Sequence, residues 1–189
     1  MSTIVLLIVL AVIVLWVISA YNGLIALKNQ VANAWKQIDV QLKRRHDLIP
    51  NLVNTVKGAM EFERGTLEAV IEARNRAVSA TGVKDTARAE GELTQALGRL
   101  FALTEAYPEL KANQNVLQLQ EELASTENKV GFSRQFYNDV ATQYNTKQAT
   151  FPTLLIAGLA KAQPAELWEI EDAAERAVPK VDLSFNKPQ

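Results

Sequence analysis

The strongest constraint on this chain is an uninterrupted apolar run near its N-terminus. Residues 4–18 read IVLLIVLAVIVLWVI, and no charged side chain occurs before Lys28. A bilayer core about 30 Å thick is crossed by about 20 helical residues, so a helix over 4–22 is long enough to span it. We therefore predict a transmembrane helix at 4–22, preceded by a short N-terminal end at 1–3.

A cleaved signal peptide is the alternative for the same run. Signal peptides begin with Lys or Arg, which MSTIV lacks, and Ile18 fits poorly into a small-x-small cleavage motif ending at Ala20. An uncleaved anchor is therefore favoured, with Trp16 and Tyr21 as membrane-interface residues near its exit. Basic residues follow the run from Lys28 onward and none precedes it. The positive-inside rule then predicts a single-pass protein of the cytoplasmic (inner) membrane, with the N-terminus outside and the bundle in the cytoplasm.

The rest of the chain carries the periodicity of helices. Apolar residues recur every three or four positions in stripes over 24–49, 52–78 and 93–107, and no strand-like alternation is sustained. The most regular series is typical of a coiled coil. It consists of Val116, Leu119, Leu123, Thr126, Val130, Ser133, Tyr137, Val140 and Tyr144. We predict an all-α protein: an N-terminal transmembrane helix followed by an antiparallel bundle of about four long helices over residues 23–162.

Prolines and a glycine divide the stripes into segments. The predicted helices run over 4–47, 48–80, 85–107 and 109–150. Pro50 disfavours helical geometry in the residue before it and removes a backbone donor. It therefore indicates either a turn at 46–50 or a kink in one continuous rod.

The segment after the fourth helix is apolar. Residues 151–160 read FPTLLIAGLA, without a charge. A helix over 109–150 is long enough to return to the membrane surface, which would bring this segment to the headgroups. A cap on the open end of the bundle explains the same composition equally well. The candidate interface residues are Phe151, Leu154, Leu155, Ile156 and Leu159.

Residues 163–189 form an acidic C-terminal segment. A charged tail of this kind is usually solvated, but its apolar side chains offer a way to dock on the bundle. These side chains are Trp168, Val181, Leu183 and Phe185.

The composition excludes several kinds of chemistry. There is no Cys and one His, which excludes disulfides, thiolate metal sites and a Cys nucleophile and argues against a catalytic triad. A net charge of −1 gives no support for nucleic-acid binding. Glu68 and Glu72 share a helix face, but a solvated face explains them better than a di-metal site, which also needs Glu-x-x-His. We predict a protein that is not an enzyme, with no cofactor, metal or small-molecule substrate; a carboxylate-metal enzyme is the least favoured alternative.

Two polar features are candidates for interaction. Lys43, Arg44 and Arg45 form the densest basic cluster, far from the predicted bilayer, so a protein partner or capping of helix-end carbonyls is favoured over lipid. Asparagines recur within the apolar stripes, among them Asn138 and Asn145. A role in fixing helix register is favoured over a recognition surface.

Several stretches carry a resemblance to a known family. They include QLKRRHDLIPNLV at 41–53, LEAVIEARNRA at 67–77 and SRQFYNDVATQYNTKQATFPTLLIAGL at 133–159. The sequence resembles the LemA family of bacterial membrane-anchored helical proteins. The resemblance implies long antiparallel helices behind one N-terminal span and supplies no reaction or cofactor. Relatives include a magnetosome-associated protein, which points towards membrane organisation.

The functional prediction follows from the span, the stripes and the resemblance. We predict a non-enzymatic, membrane-anchored helical-bundle protein that acts through protein–protein or membrane contacts, with membrane organisation as one candidate process. An adaptor or sensor subunit of a membrane protease or signalling system is the alternative. The predicted partners are the lipid bilayer and an unidentified protein, with self-association as a further option.

Overall fold

Every regular element in the described part of the chain is a helix. The computed structural model of the protein describes residues 1–60 and 63–169, which contain no strand. The helices are α1 (Ser2–Val56), α2 (Arg64–Ser79), α3 (Val83–Ala106), α4 (Pro108–Lys111), α5 (Gln114–Ala149) and α6 (Leu154–Ala157). The all-α prediction is confirmed.

The N-terminal part of α1 stands clear of the bundle. An 18-residue window of this helix has a mean hydropathy of 3.1, and none of the window is buried. The first buried residue of α1 is Leu24. In length and composition this part of α1 is suited to cross a membrane, as the apolar run predicts, and the same helix continues into the bundle without a break.

The bundle is built on the antiparallel pair α1 and α5. Leu24 shares a buried cluster with Tyr144, and Trp35 contacts Tyr137. The α2–α3 hairpin packs over the membrane-distal half of this pair and forms the larger core with the end of α1 and the start of α5. Residue numbers rise along α1 as they fall along α5, so the end of α5 returns to the level of the predicted span.

The α5 seam is packed as its periodicity predicts. Leu119 and Ser133 are half-buried. The remaining seam positions, all buried, are Val116, Leu123, Thr126, Val130, Tyr137, Val140 and Tyr144. Asn113 caps the helix, its side chain accepting from the backbone of Asn115 and Val116, so α5 starts later than the predicted 109.

The apolar stripe predicted over residues 52–78 is wrong at its last residue. Val78 is 51% exposed, because Leu67, Val70, Ala73 and Ala77 set the inward face of α2 and the residue after Ala77 turns away from it.

Pro50 does not end α1. The helix runs through it to Val56, so the predicted turn at 46–50 and a second helix starting at 48 are wrong, and the continuous rod is correct. Proline has no N–H, which leaves the carbonyl of His46, four residues earlier, without its helical donor. Arg74 of α2 fills this place: its Nε donates to the His46 carbonyl at 3.2 Å.

Arg74 and Pro50 should therefore be energetically coupled. We expect Arg74→Ala to cost about 1–3 kcal/mol, because it leaves the His46 carbonyl without a partner. In a Pro50→Ala background the restored N–H bonds this carbonyl, so the same substitution should cost at least about 1 kcal/mol less. Denaturant unfolding of the full chain in detergent, followed by circular dichroism, measures both values. Equal costs in the two backgrounds would refute the coupling, and Arg88→Ala, on the exposed face of α3, is the control.

Candidate functional site

The C-terminal end of α5 and the loop after it lie beside the predicted span. A pocket lies between the predicted span on one side and the end of α5 with its loop on the other. Its α1 side is formed by Trp16, Ser19, Ala20, Gly23 and Leu27. Its other side is formed by Thr142, Gln143, Thr146, Lys147, Thr150, Phe151, Pro152 and Thr153. The apolar segment 151–160 therefore sits at the end of the bundle from which the span emerges.

One face of this segment is open and apolar. Phe151, Leu154, Leu155 and Leu159 are 74%, 54%, 68% and 76% exposed. Ile156 differs: it is only 3% exposed, so its inclusion among the interface residues is wrong.

The buried side of the segment explains this difference. Thr153, Ile156 and Ala160 face the bundle at helical spacing and close its end, which leaves the opposite side chains free. Trp16 and Tyr21 on α1 are 37% and 39% exposed at the same end of the bundle. Capping and exposure thus coexist on the two faces of one segment.

The basic cluster is divided between the surface and the core. Lys43 and Arg44 are exposed, whereas Arg45 and His46 are buried. Arg45 turns inward because it lies on the buried stripe of α1, between Leu42 and Ile49. It is therefore not part of an exposed interaction surface, and the sequence-predicted cluster is reduced to two side chains.

Arg45 joins three helices through a buried ion-pair cluster. Its Nη1 lies 2.7 Å from Oε2 of Glu90 on α3, and its Nη2 lies 2.8 Å from Oε2 of Glu127 on α5. His46 Nε2 lies 2.6 Å from the other Glu90 oxygen, and Thr94 accepts a hydrogen bond from Arg45 at 2.9 Å. We call Arg45, His46, Glu90 and Glu127 the Glu90 cluster. Every carboxylate oxygen of Glu90 has a basic partner, as a buried charge requires.

No grouping of metal-ligating side chains accompanies this cluster. Across residues 1–60 and 63–169, no three or more His, Cys, Asp or Glu residues come together in a way that could hold a metal ion. Glu68 and Glu72 lie on the exposed face of α2.

The most specific polar contacts hold the start of the C-terminal segment. Asn145 donates to the carbonyl of Ala165 at 2.9 Å and accepts from its N–H at 2.8 Å. Asn138 makes the same pair of bonds with Trp168, at 2.9 and 2.8 Å. Residues 164–168, which we call the strap, therefore run along α5 in the opposite direction to it.

Trp168 anchors the strap. Its side chain is only 4% exposed. The centroid of its ring lies 6.0 Å from that of Trp35 and 5.7 Å from the guanidinium carbon of Arg134. Tyr137 donates its hydroxyl to the carbonyl of Glu166 at 2.7 Å. Burial, and then the nearby charge of Glu166, raise the pKa of the Tyr137 phenol, which keeps it a hydrogen-bond donor.

The strap decides between two sequence-based alternatives. Asn138 and Asn145 bind the backbone of another segment, so fixing helix register is the wrong interpretation for these two residues. Docking of the tail through Trp168 is correct. The other predicted docking residues, Val181, Leu183 and Phe185, lie outside the described residues.

Comparison with known proteins identifies the fold family. A family model described as the LemA family matches residues 34–183. The chain belongs to the LemA family. The LemA protein of Metamycoplasma hominis is 27% identical over 88% of this chain and 74% of its own length. Magnetosome proteins MamQ 1 and MamQ 2 of Paramagnetospirillum magneticum are each 21% identical, over 84% of this chain and 68% of theirs. The LemA match includes both the Glu90 cluster and the strap.

Proposed function

We propose that this LemA-family chain is a non-enzymatic, single-pass protein of the bacterial cytoplasmic membrane. It acts through protein and membrane contacts, and its bundle rests on the bilayer through residues 151–159. The observation that carries the proposal is the exposed apolar face of this segment, located where the predicted span leaves the bundle. An exposed patch of four large apolar side chains is typical of a surface that contacts a membrane or another protein.

The second contact would fix how the bundle stands on the membrane. A single membrane span lets the attached domain tilt about the point where the span leaves the bilayer. Here α1 continues from the span into the bundle without a break, and residues 151–159 would make a second membrane contact beside it. Fully burying one such apolar side chain contributes about 1.5–3 kcal/mol. Partial burial of the four exposed side chains is therefore enough to hold residues 151–159 in the membrane interface. Lys147 lines the pocket at this end and would meet anionic headgroups in this arrangement. A bundle held upright displays its outer faces at a fixed height, which suits a role in membrane organisation.

The bilayer contact is tested with single environment-sensitive labels. Because the chain has no Cys, NBD can be attached at Leu155→Cys or Leu159→Cys in the full chain reconstituted into vesicles. We expect blue-shifted emission and quenching by nitroxide lipids. Val78→Cys is the matched control, since it is also an exposed apolar residue but lies on α2. Labels at Leu155 and Leu159 that are as water-exposed as the Val78 label would contradict the proposal.

The orientation is part of the same proposal. Basic residues follow the span and none precedes it, which supports a cytoplasmic bundle. A membrane-impermeant maleimide should therefore label Val78→Cys in inverted vesicles and not in intact cells. Labelling of Val78→Cys in intact cells would show that the bundle faces outward and would contradict the proposed orientation.

An adaptor subunit of a membrane protease or signalling system is the second candidate. It is favoured by two aromatic residues one turn apart on α5, Phe132 and Phe136, which are 73% and 41% exposed. Exposed aromatic residues are enriched where proteins meet. A photo-crosslinker at Phe132 in native membranes should then give one discrete protein adduct that is absent when it is placed at Val78.

A further inference from the structure

The pocket between the predicted span and the end of α5 is rich in hydrogen-bond donors. Its volume is about 720 Å³, within the range of small-molecule sites. Among the described residues that line it, Lys147 is the one cation and none is an Asp or Glu. The lining side chains that carry a hydroxyl or an amide are Ser19, Thr142, Gln143, Thr146, Thr150 and Thr153. A lining of this kind suits a negatively charged hydrogen-bond acceptor.

Several of these donors are free to bind a ligand. In the part of the chain that the structure describes, Lys147 forms no ion pair, and the hydroxyls of Thr142 and Thr146 have no hydrogen-bond partner. Thr150 differs, because its hydroxyl donates to the Thr146 carbonyl at 2.6 Å. An ammonium and two hydroxyls on one side of α5 therefore remain available within two helical turns.

The position of the pocket along α1 matches the depth of lipid phosphates. Leu24 and Tyr144 share a buried cluster, and Lys147 lies three residues, about 4.5 Å, closer to the predicted bilayer than Tyr144. This is about the level of Tyr21, where the predicted span ends. Trp16 lines the same pocket about 7 Å deeper, and a headgroup layer is about 5–7 Å thick. The pocket would therefore extend from the headgroups to the start of the hydrocarbon.

The membrane end of the bundle is basic. Residues 23–38 of α1 and 140–165, which lie together at this end because α1 and α5 are antiparallel, contain no Asp or Glu. The basic residues of these two stretches are Lys28, Lys36, Lys147 and Lys161. Their charge favours an anionic phospholipid over a zwitterionic one, whose cationic group would face the lysines.

We propose that this pocket binds the headgroup of one anionic phospholipid, with its phosphate at Lys147 and Thr146. The phosphate oxygens accept from the ammonium and the hydroxyl, and charge-assisted bonds of this kind are about twice as strong as neutral ones. The acyl chains leave past Trp16 and Phe151, which are 37% and 74% exposed. This site rests on the proposed function, since the pocket meets lipid phosphates only if the bundle stands on the bilayer.

Native mass spectrometry of the full chain tests the site. The protein in a neutral detergent is titrated with equal amounts of dioleoyl phosphatidylglycerol and dioleoyl phosphatidylcholine, and the bound lipids are counted from the mass. We expect one phosphatidylglycerol to bind at least about ten-fold more tightly than phosphatidylcholine or a second phosphatidylglycerol. A hydrogen bond to a charged group is strong enough for a difference of this size.

Two variants connect the bound lipid to the pocket. Lys147→Gln removes the charge, and Gly23→Leu fills the pocket while the charge stays, since a Cβ at Gly23 meets no heavy atom within 4 Å. Each should weaken binding of the first phosphatidylglycerol by about ten-fold or more. Lys28→Gln is the matched control, because Lys28 is an exposed lysine at the same end that does not line the pocket. It should change the affinity by less than about two-fold.

Three outcomes would overturn the proposal. The first is equal affinity for the two lipids, and the second is an equal loss with Lys147→Gln and Lys28→Gln, which would indicate diffuse attraction. The third is displacement of the bound lipid by an equal concentration of glycerol phosphate, which would assign the pocket to a soluble phosphate. If the NBD labels at Leu155 and Leu159 are embedded in the bilayer, these outcomes overturn the lipid site alone. Water-exposed labels would overturn the proposed function, and the lipid site with it.

Discussion

Glu90→Ala should destabilise the bundle by about 3–5 kcal/mol, the cost of leaving a buried charge without its partner. Arg45 is 3% exposed and cannot reach water without disrupting the packing of α1. Glu90 contacts both Arg45 and His46, at 2.7 and 2.6 Å. Glu127 is the remaining carboxylate near Arg45 and keeps its contact with Nη2 through a buried oxygen, but the Nη1 group of Arg45 and Nε2 of His46 lose the carboxylate that they contact. The expected loss is a large fraction of the stability of a typical domain.

An exposed ion pair on the same helix separates the effect of burial from the effect of losing a charge. Glu92→Ala removes the partner of Arg76, two residues further along α3, where both side chains are about half exposed. We expect this control to cost less than about 1 kcal/mol, because water screens exposed pairs. Denaturant unfolding of the full chain, at matched detergent and salt, gives both values. A cost for Glu90→Ala no larger than that for Glu92→Ala would show that the cluster does not support the bundle.

Removing Arg45, His46 and Glu90 together should be milder than removing Glu90 alone. When Arg45 and His46 are replaced by Met and Leu together with Glu90→Leu, the one charged member of the cluster left is Glu127, whose side chain is 36% exposed and can turn its carboxylate to water. Apolar replacements of buried ion pairs are often neutral or stabilising. We therefore expect this triple variant to recover most of the stability that Glu90→Ala loses. If the triple variant is less stable than Glu90→Ala, the cost lies in packing and not in the uncompensated charge.

The helices could be predicted because their periodicity is a local property of the sequence. The α5 seam shows the same alternation of three and four residues that the packed helix requires, and seven of its nine positions are buried. The same spacing carried a signal for Arg45, which stands three residues after Leu42 and four before Ile49. Grouping Arg45 with Lys43 and Arg44 by charge concealed this signal, because the partners that make burial possible lie on α3 and α5.

Pro50 shows what the sequence of one helix does not contain. The local rule is sound: proline removes the donor to the His46 carbonyl. Whether the chain then turns or continues depends on a donor from elsewhere, and Arg74 of α2 supplies it. Docking through Trp168 could be predicted from its apolar side chain, but the role of Asn138 and Asn145 could not, because their hydrogen bonds join residues that are far apart in sequence.

Replacing Asn138 and Asn145 together by Ala should release the strap without unfolding the bundle. The double substitution removes four hydrogen bonds, each worth about 0.5–1.5 kcal/mol, and leaves the backbone groups of Ala165 and Trp168 without partners. Undocking lets water bond these groups, so the structure should open locally. We expect hydrogen exchange at the Ala165 and Trp168 amides to speed up by about two to four orders of magnitude.

The bundle itself should remain, because the larger core is formed by other elements: the end of α1, α2, α3 and the start of α5. Exchange protection within α3 and the helical circular dichroism should therefore stay close to those of the unmodified chain. Asn33 and Asn51, exposed asparagines of α1, provide matched controls, and their replacement by Ala should leave the strap protected. Slow exchange at Ala165 and Trp168 in the Asn138/Asn145 variant would mean that Trp168 packing alone holds the strap. Loss of protection throughout α3 would mean that the strap is an integral part of the bundle, because undocking it would then unfold the core.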